Sequence, residues 1–315
     1  MKLFLAESED FDSGVLQLLR DNFDLTIAED SSWKVSDILK EYDIFWFRLK
    51  YQIDKEALAG DIRCQFLVSP VTGIDHIDEA LCAQKGIRIV CLRGEREFLK
   101  EVRATAEMTI GLTIALMRKI VPAYQDVCAG NWRRDLFRGH EIYKKTVGIV
   151  GVGRLGEIVG SYFLTMGASV LAYDPYRETK IHDIRQVKHL EQLISASDII
   201  SLHVNLTDES RGFFDRQCFQ KIKPGAVLIN TSRGGLLDEE ALLDALESGK
   251  LRGAALDVIT NEHHIDRDHP LITYAQENDN LLIVPHIGGN TYESFEKTER
   301  FIAHKLLRAV RDVAS

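Results

Sequence analysis

Three glycines and one acid, Gly151, Gly153, Gly156 and Asp174, have the types and the spacing to hold a dinucleotide. In GVGRLG they form a G-x-G-x-x-G pattern directly after the apolar run Val147–Val150, at the start of an amphipathic segment. At such a strand-to-helix turn Gly151 permits the tight bend, Gly153 lets backbone approach a pyrophosphate with no Cβ in the way, and Gly156 lets the helix pack close to the strand. The helix then opens at Arg154 and Leu155 with free N–H groups and a partial positive charge facing the diphosphate. Asp174 stands eighteen residues after Gly156, at the end of the next strand, where a carboxylate accepts hydrogen bonds from both adenosine ribose hydroxyls. The same carboxylate repels a 2′-phosphate, so NAD is expected over NADP, with Arg177 nearby arguing the other way. A glycine triplet alone can be no more than a tight turn. The strand, helix and acid around this one give it a nucleotide-binding meaning.

The elements that must position these residues follow from periodicity. From Thr146 onward strands and helices alternate: Val147–Val150, Leu155–Met166, Ser169–Tyr173, His189–Ala196, Ile199–His203, Asp215–Lys221, Ala226–Asn230, Glu239–Ser248, Gly253–Val258 and Leu281–Val284. Alternation of this kind means a parallel, doubly wound sheet. The first hundred residues alternate on a smaller scale, with β-rich runs at Lys2–Ala6, Ile44–Phe47, Gln65–Ser69 and Ile87–Cys91 and amphipathic runs at Gly14–Asn22, Lys55–Ala59 and Asp78–Lys85. Between the two, one long helix is expected from Ala104 to Cys128, ending near Gly130. A last amphipathic helix is expected over Tyr292 to Val313. The division expected is 1–100, 101–286 and 287–315.

Composition sets the outer bounds. A chain of 315 residues with 45% hydrophobic and 28% charged residues has material for two globular cores. With 39 basic against 48 acidic residues the formal charge is −9, the wrong sign for a protein that lives on phosphate backbones, so no nucleic-acid partner is expected. Five widely spaced cysteines with no CxxC pair read as reduced core thiols and not as a disulfide framework or zinc site. No apolar run reaches the length of a bilayer span and the amino terminus does not read as a signal peptide, so a cytoplasmic protein with no membrane partner is expected. HExxH, Walker and G-x-S-x-G patterns are absent from the sequence, and no metal is expected.

GIVGVGRLGEIVG, AYDP, SLHVNLTDESRGFFD, LINTSRGGLLDEEAL, ALDV and VPHIGG, in that order, resemble the D-isomer-specific 2-hydroxyacid dehydrogenases, the family of phosphoglycerate, D-lactate and formate dehydrogenases. The resemblance covers most of residues 44–312. It implies an α/β protein of two domains, a Rossmann-type doubly wound parallel sheet and a smaller flavodoxin-like substrate domain to which the last helix returns. It also implies a hydride exchange between NAD and a small-molecule 2-hydroxy or 2-oxo acid.

On that resemblance Arg233, Glu262 and His286 are the catalytic set. A histidine can take and return the alcohol proton near neutrality, a carboxylate on its other nitrogen fixes the ring and favours its charged form, and a guanidinium fork holds the substrate carboxylate and polarises the carbonyl. Singly, Arg233 can be a surface residue before the Gly234–Gly235 turn, Glu262 a loop acid, and His286 a capping or buried histidine. Together, just beyond the carboxyl ends of successive strands, they stand where open α/β sheets bind ligands. Glu262 departs from the family pattern, since His263 and His264 follow where proline is common. The resemblance further assigns Asp257 to the nicotinamide carboxamide and places Thr231 and Ser232 beside the cofactor. Val71, Thr72 and Gly73 match a turn whose N–H groups receive the substrate carboxylate, and Arg48 a position that contacts charged substrates in some members.

A homodimer, formed through the region of the long helix, is likewise implied. The stretch RGEREFLKEVR after Cys91 is longer and more charged than the family loop. It reads either as a set of cations, Arg93, Arg96, Lys100 and Arg103 with Arg48, for a second anionic group on the substrate or as a solvated turn with internal ion pairs, and a polar or doubly anionic 2-oxo acid is expected over apolar pyruvate-like ones. A nucleotide-sensing binding protein of the corepressor type on the same fold is the rival to an enzyme.

Overall fold

The computed structural model describes residues 1–29 and 33–314. They divide into two units, Met1–Val102 with Asn290–Ser315, and Arg103–Gly289. Sequence periodicity drew these borders at 100 and 286. Arg103 falls with the larger unit because it caps the helix that opens it, and Ile287 and Gly288 do so because their N–H groups bond to Asp257.

In the smaller unit the order is β1 (Lys2–Leu5), α1 (Ser13–Asn22), β2 (Asp24–Ile27), α2 (Val35–Glu41), β3 (Ile44–Trp46), β4 (Phe66–Ser69), α3 (Glu79–Gln84), β5 (Arg88–Cys91) and α4 (Arg96–Leu99). The five strands are parallel, in the order β2-β1-β3-β4-β5. This is the flavodoxin-like order, whose switch point lies between β1 and β3. Buried strands such as FLVS in β4 are apolar but for the terminal Ser69 because helices cover both faces of a parallel sheet. Asp12 and Asp78 cap α1 and α3 by accepting the N–H groups of Val15 and Leu81.

The larger unit runs α5 (Ala104–Met117), α6 (Ile120–Cys128), β6 (Thr146–Val150), α7 (Arg154–Thr165), β7 (Ser169–Tyr173), β8 (Ile184–Gln186), α8 (Leu190–Ala196), β9 (Ile199–Leu202), α9 (Arg216–Lys221), β10 (Ala226–Asn230), α10 (Glu239–Glu247), β11 (Leu251–Leu256), α11 (Pro270–Glu277) and β12 (Leu281–Ile283). Its seven parallel strands stand in the order β12-β11-β10-β9-β6-β7-β8. Counted within the unit this is 3-2-1-4-5-6-7, the Rossmann order with one strand added. Two apolar clusters, one containing Ile149 and Phe163 and the other Leu228 and Leu242, fill the layers around this sheet. After it, α12 (Tyr292–Ala314) belongs to the smaller unit and packs on α1, β4 and β5, with Ile302, Ala303 and Leu306 fully buried.

Three local expectations fail for identifiable reasons. The long helix breaks at Lys119, whose φ is 52°, because Pro122 cannot accept a helical neighbour: its ring would clash with the carbonyl of Arg118. Lys55–Ala59 forms turns, with Asp54 Oδ1 accepting the Ala57 N–H and Gly60 at φ 80° ending the segment. β2, β8, α2, α4 and α11 are absent from the periodicity reading, being three to eight residues long or, for β2 and β8, edge strands.

Candidate functional site

The glycine turn grows out of β6, the strand beside which the order of strands reverses. Gly151 has φ 96°, and a Cβ there would lie 2.5 Å from the carbonyl oxygen of His203. Gly156 is equally constrained, since its Cβ would fall 1.9 Å from the carbonyl oxygen of Gly151. The turn and the first coil of α7 are therefore in van der Waals contact, which only glycine at both positions allows. Gly153 is the helix cap and brings no side chain to its own N-terminus. Above it the space is open except for the Arg177 guanidinium, 3.7 Å from where a Cβ would be. Arg154, next in chain, is driven below the ordinary arginine range by burial and by the nearby charge of Arg103. Two cations held close at a helix N-terminus with room above it suit a diphosphate.

Asp174, just past β7, reaches back into this turn. Its Oδ2 accepts the Val152 N–H at 3.0 Å, and Oδ1 accepts those of Tyr176 and Arg177 at 2.9 and 3.1 Å. The carboxylate is thus fixed at the carboxyl edge of the sheet, with Oδ2, which accepts one N–H against two at Oδ1, keeping acceptor capacity for a ribose hydroxyl. These residues fit an adenine dinucleotide.

Arg233, Glu262 and His286 follow β10, β11 and β12, which are neighbours in the sheet. His286 Nδ1 stands 2.6 Å from Glu262 Oε1. Glu262 opens a single 3-10 turn, Glu262–His264, after Asn261 at φ 55°. Arg233 leaves a turn clamped by Asn230, a fully buried residue whose side chain accepts the Ser232 N–H and donates to the Arg233 carbonyl. The next residue, Gly234, touches the backbone of Ile259 and Thr260, and a Cβ would lie 2.0 Å from the Ile259 carbonyl carbon. That contact brings the Arg233 turn against the segment leading to Glu262. Thr231 Oγ1 meets Thr109 Oγ1 at 2.8 Å, and Ser232 Oγ donates to the Leu202 carbonyl at 2.7 Å, so both hydroxyls serve the turn itself.

His203 was not singled out by spacing. It follows β9 beside the glycine turn, with Nε2 2.8 Å from Ser201 Oγ and Nδ1 enclosed without a partner. Burial pushes its pKa down to about 3, so the ring is neutral. Its signal was present in SLHV, a histidine at the end of an apolar strand, but nothing in sequence separates that from an exposed one.

In the smaller unit Arg48 follows β3 at the switch point. Its guanidinium pairs with Glu299 of α12, lies 3.9 Å from the centre of the Phe295 ring, and is only 13% exposed. Val71, Thr72 and Gly73 lie beyond β4, with the Val71 carbonyl accepting the Leu92 N–H at 3.0 Å. In the charged stretch Arg93 pairs with Glu79, Lys100 with Glu97, and Glu95 with Lys305. Phe98 stacks on Phe301 and Leu99 is buried. The stretch is thereby a docked turn whose paired charges are met within its own unit. Among the described residues no group of three or more His, Cys, Asp or Glu could hold a metal ion, and no helix is long and apolar enough to cross a membrane.

Residues 110–288 match the family model described as D-isomer specific 2-hydroxyacid dehydrogenase, NAD binding domain. Among curated proteins, a D-3-phosphoglycerate dehydrogenase of Mycobacterium leprae is 32% identical over 281 residues, 88% of this chain and 51% of that protein. The chain thus spans about half the length of such relatives. A hydroxypyruvate reductase of Thermotoga maritima is 29% identical over 96% of both chains. Among solved structures, a D-lactate dehydrogenase of Aquifex aeolicus complexed with NAD and lactic acid superposes with a TM-score of 0.85 at 27% identity, covering 99% of this chain and 96% of that one.

Proposed function

The chain belongs to the D-isomer-specific 2-hydroxyacid dehydrogenase family and carries its NAD-binding domain, and from that premise we propose that it is an NAD-dependent oxidoreductase interconverting a D-2-hydroxy acid and its 2-oxo acid. The observation that carries the proposal is the 2.6 Å contact between His286 Nδ1 and Glu262 Oε1 at the ends of two adjacent strands. With Nδ1 committed to the carboxylate, Nε2 is left as the atom that takes the alcohol proton in oxidation and returns it in reduction. Glu262 holds the ring in one orientation. Arg233 holds the substrate carboxylate and draws charge from the carbonyl oxygen. Bound NAD would supply the hydride acceptor, or in its reduced form the donor, at the substrate's C2.

For the cofactor, Gly151, Gly153, Arg154, Leu155 and Gly156 would hold the diphosphate and Asp174 the ribose. Thr231 and Ser232 keep the neighbouring backbone in place. For the substrate, the Val71–Gly73 turn offers backbone N–H groups to a carboxylate. Arg48, already neutralised by Glu299, is a weak candidate for a second anion. A small, singly anionic 2-oxo acid is therefore the substrate class favoured.

The active form proposed is a homodimer. Ile120, Tyr124 and Val127 of α6 are exposed, and Trp132 and Leu136 beyond it are also exposed, Trp132 at 85%. An apolar strip of this kind marks an interaction surface, and in the family this region pairs subunits. The five unpaired cysteines, with Cys64, Cys82 and Cys91 buried, favour a reducing cytoplasm.

The test is a screen of 2-oxo acids with NADH, followed by the loss of absorbance of the reduced cofactor. Turnover of at least one supports the reading. NADH binding with no turnover of any would favour the sensing protein instead.

A further inference from the structure

We propose that Asp257 is the positioning residue for His286, fixing the backbone that aims the imidazole; the proposal rests on His286 being the proton carrier. Three consecutive N–H groups converge on this one residue. The His286 N–H goes to the Asp257 carbonyl at 2.8 Å, the Ile287 N–H to Oδ1 at 2.7 Å, and the Gly288 N–H to Oδ2 at 2.8 Å. Such convergence requires a left-handed residue in the run, and His286 has φ 53°.

A histidine held there is strained and persists only where its surroundings over-determine it. The three bonds from Asp257 do that. The carboxylate is 1% exposed, and burial raises its pKa while the two backbone N–H groups favour its charged form. Gly288 records how close the fit is, since a Cβ there would fall 2.6 Å from Asp257 Oδ2. The resemblance assigns Asp257 to the cofactor. The geometry adds a second employment: β11, through Asp257, sets where the chain leaving β12 puts His286, and Glu262 then fixes the ring.

Two substitutions disturb the same bond from opposite sides. Asp257→Asn replaces one acceptor by a donor facing an N–H group, and Gly288→Ala leaves the carboxylate intact but pushes the backbone away from it. Both are expected to lower kcat about 100-fold, as a misplacement of about 1 Å does, and Gly288→Ala, which keeps the carboxylate, to do so with NADH affinity near that of the unsubstituted protein. Both are also expected to abolish or move the downfield imidazole N–H proton of the His286–Glu262 bond, read by NMR without substrate. Should Asp257→Asn fail to fold, Gly288→Ala carries the test. If both variants keep the proton signal and kcat, or lose only NADH affinity, Asp257 serves the cofactor alone and the proposal falls. If the unsubstituted chain turns over no 2-oxo acid, the functional reading fails while the NMR signal still decides the positioning role.

Discussion

Arg48 and Glu299, 251 residues apart in sequence, meet as an ion pair inside the smaller unit, their side chains 13% and 0% exposed. Glu299 Oε2 also accepts the Asp12 N–H at 3.1 Å, so one carboxylate ties the last helix to both β3 and the start of α1. Burial raises the pKa of Glu299 while Arg48 opposes that shift.

Removing one partner strands the other in the interior. Arg48→Ala and Glu299→Ala are each expected to cost on the order of 3–5 kcal/mol of stability. Urea denaturation measures it. A loss below about 1 kcal/mol, with a raised KM for doubly anionic 2-oxo acids alone, would return Arg48 to the substrate.

Asp174 accepts the Val152 N–H and, in the function proposed, a ribose hydroxyl as well. Fluorescence titration is expected to show NADH bound more tightly than NADPH, and Asp174→Ala to weaken NADH and narrow the gap. Tighter NADPH binding by the unsubstituted protein would give Arg177 the deciding role.

His203 makes stability fall in acid. Its folded pKa is lowered to about 3, so between that value and the unfolded value of about 6.5 the unfolded chain binds more protons. Stability is then lost as pH falls through that window, by about 1.4 kcal/mol per unit from this residue. His140, also lowered by burial and by Arg252, Lys145 and Lys119, adds a loss of the same sign. His203→Asn is expected to recover about 2 kcal/mol of the stability difference between pH 7 and pH 5. An unchanged difference would mean that the ring is solvated.

Tyr124 and Val127 on α6 are expected to be covered by a second copy of the chain. Sedimentation should give a dimer, and Tyr124→Asp with Val127→Asp should give monomers that keep NADH binding. A monomeric unsubstituted chain would leave that strip to another partner.

What was legible in the sequence follows a physical divide. Glycine spacing survives as signal because Gly151 and Gly156 each answer a steric demand of under 3 Å, while Gly153 keeps the helix N-terminus open. Central strands such as Ala226–Asn230 were legible because burial on both faces makes them apolar up to their last residue. Edge strands β2 and β8 pair on one side only and carry polar residues, so they escaped. The helix break at Lys119 was written in Pro122 but outweighed by apolar periodicity. Asn230 and the anchoring bonds of Asp257 were hidden, because bonds to the backbone of turns leave no pattern of spacing.

The most direct measurement compares the unsubstituted chain with His286→Ala, reading kcat on a 2-oxo acid and NADH affinity on the same preparations. The expected result is a loss of about 10²–10⁴ in kcat with NADH affinity nearly unchanged, since in the function proposed the imidazole carries the proton and does not hold the cofactor. Undiminished turnover in His286→Ala would contradict it.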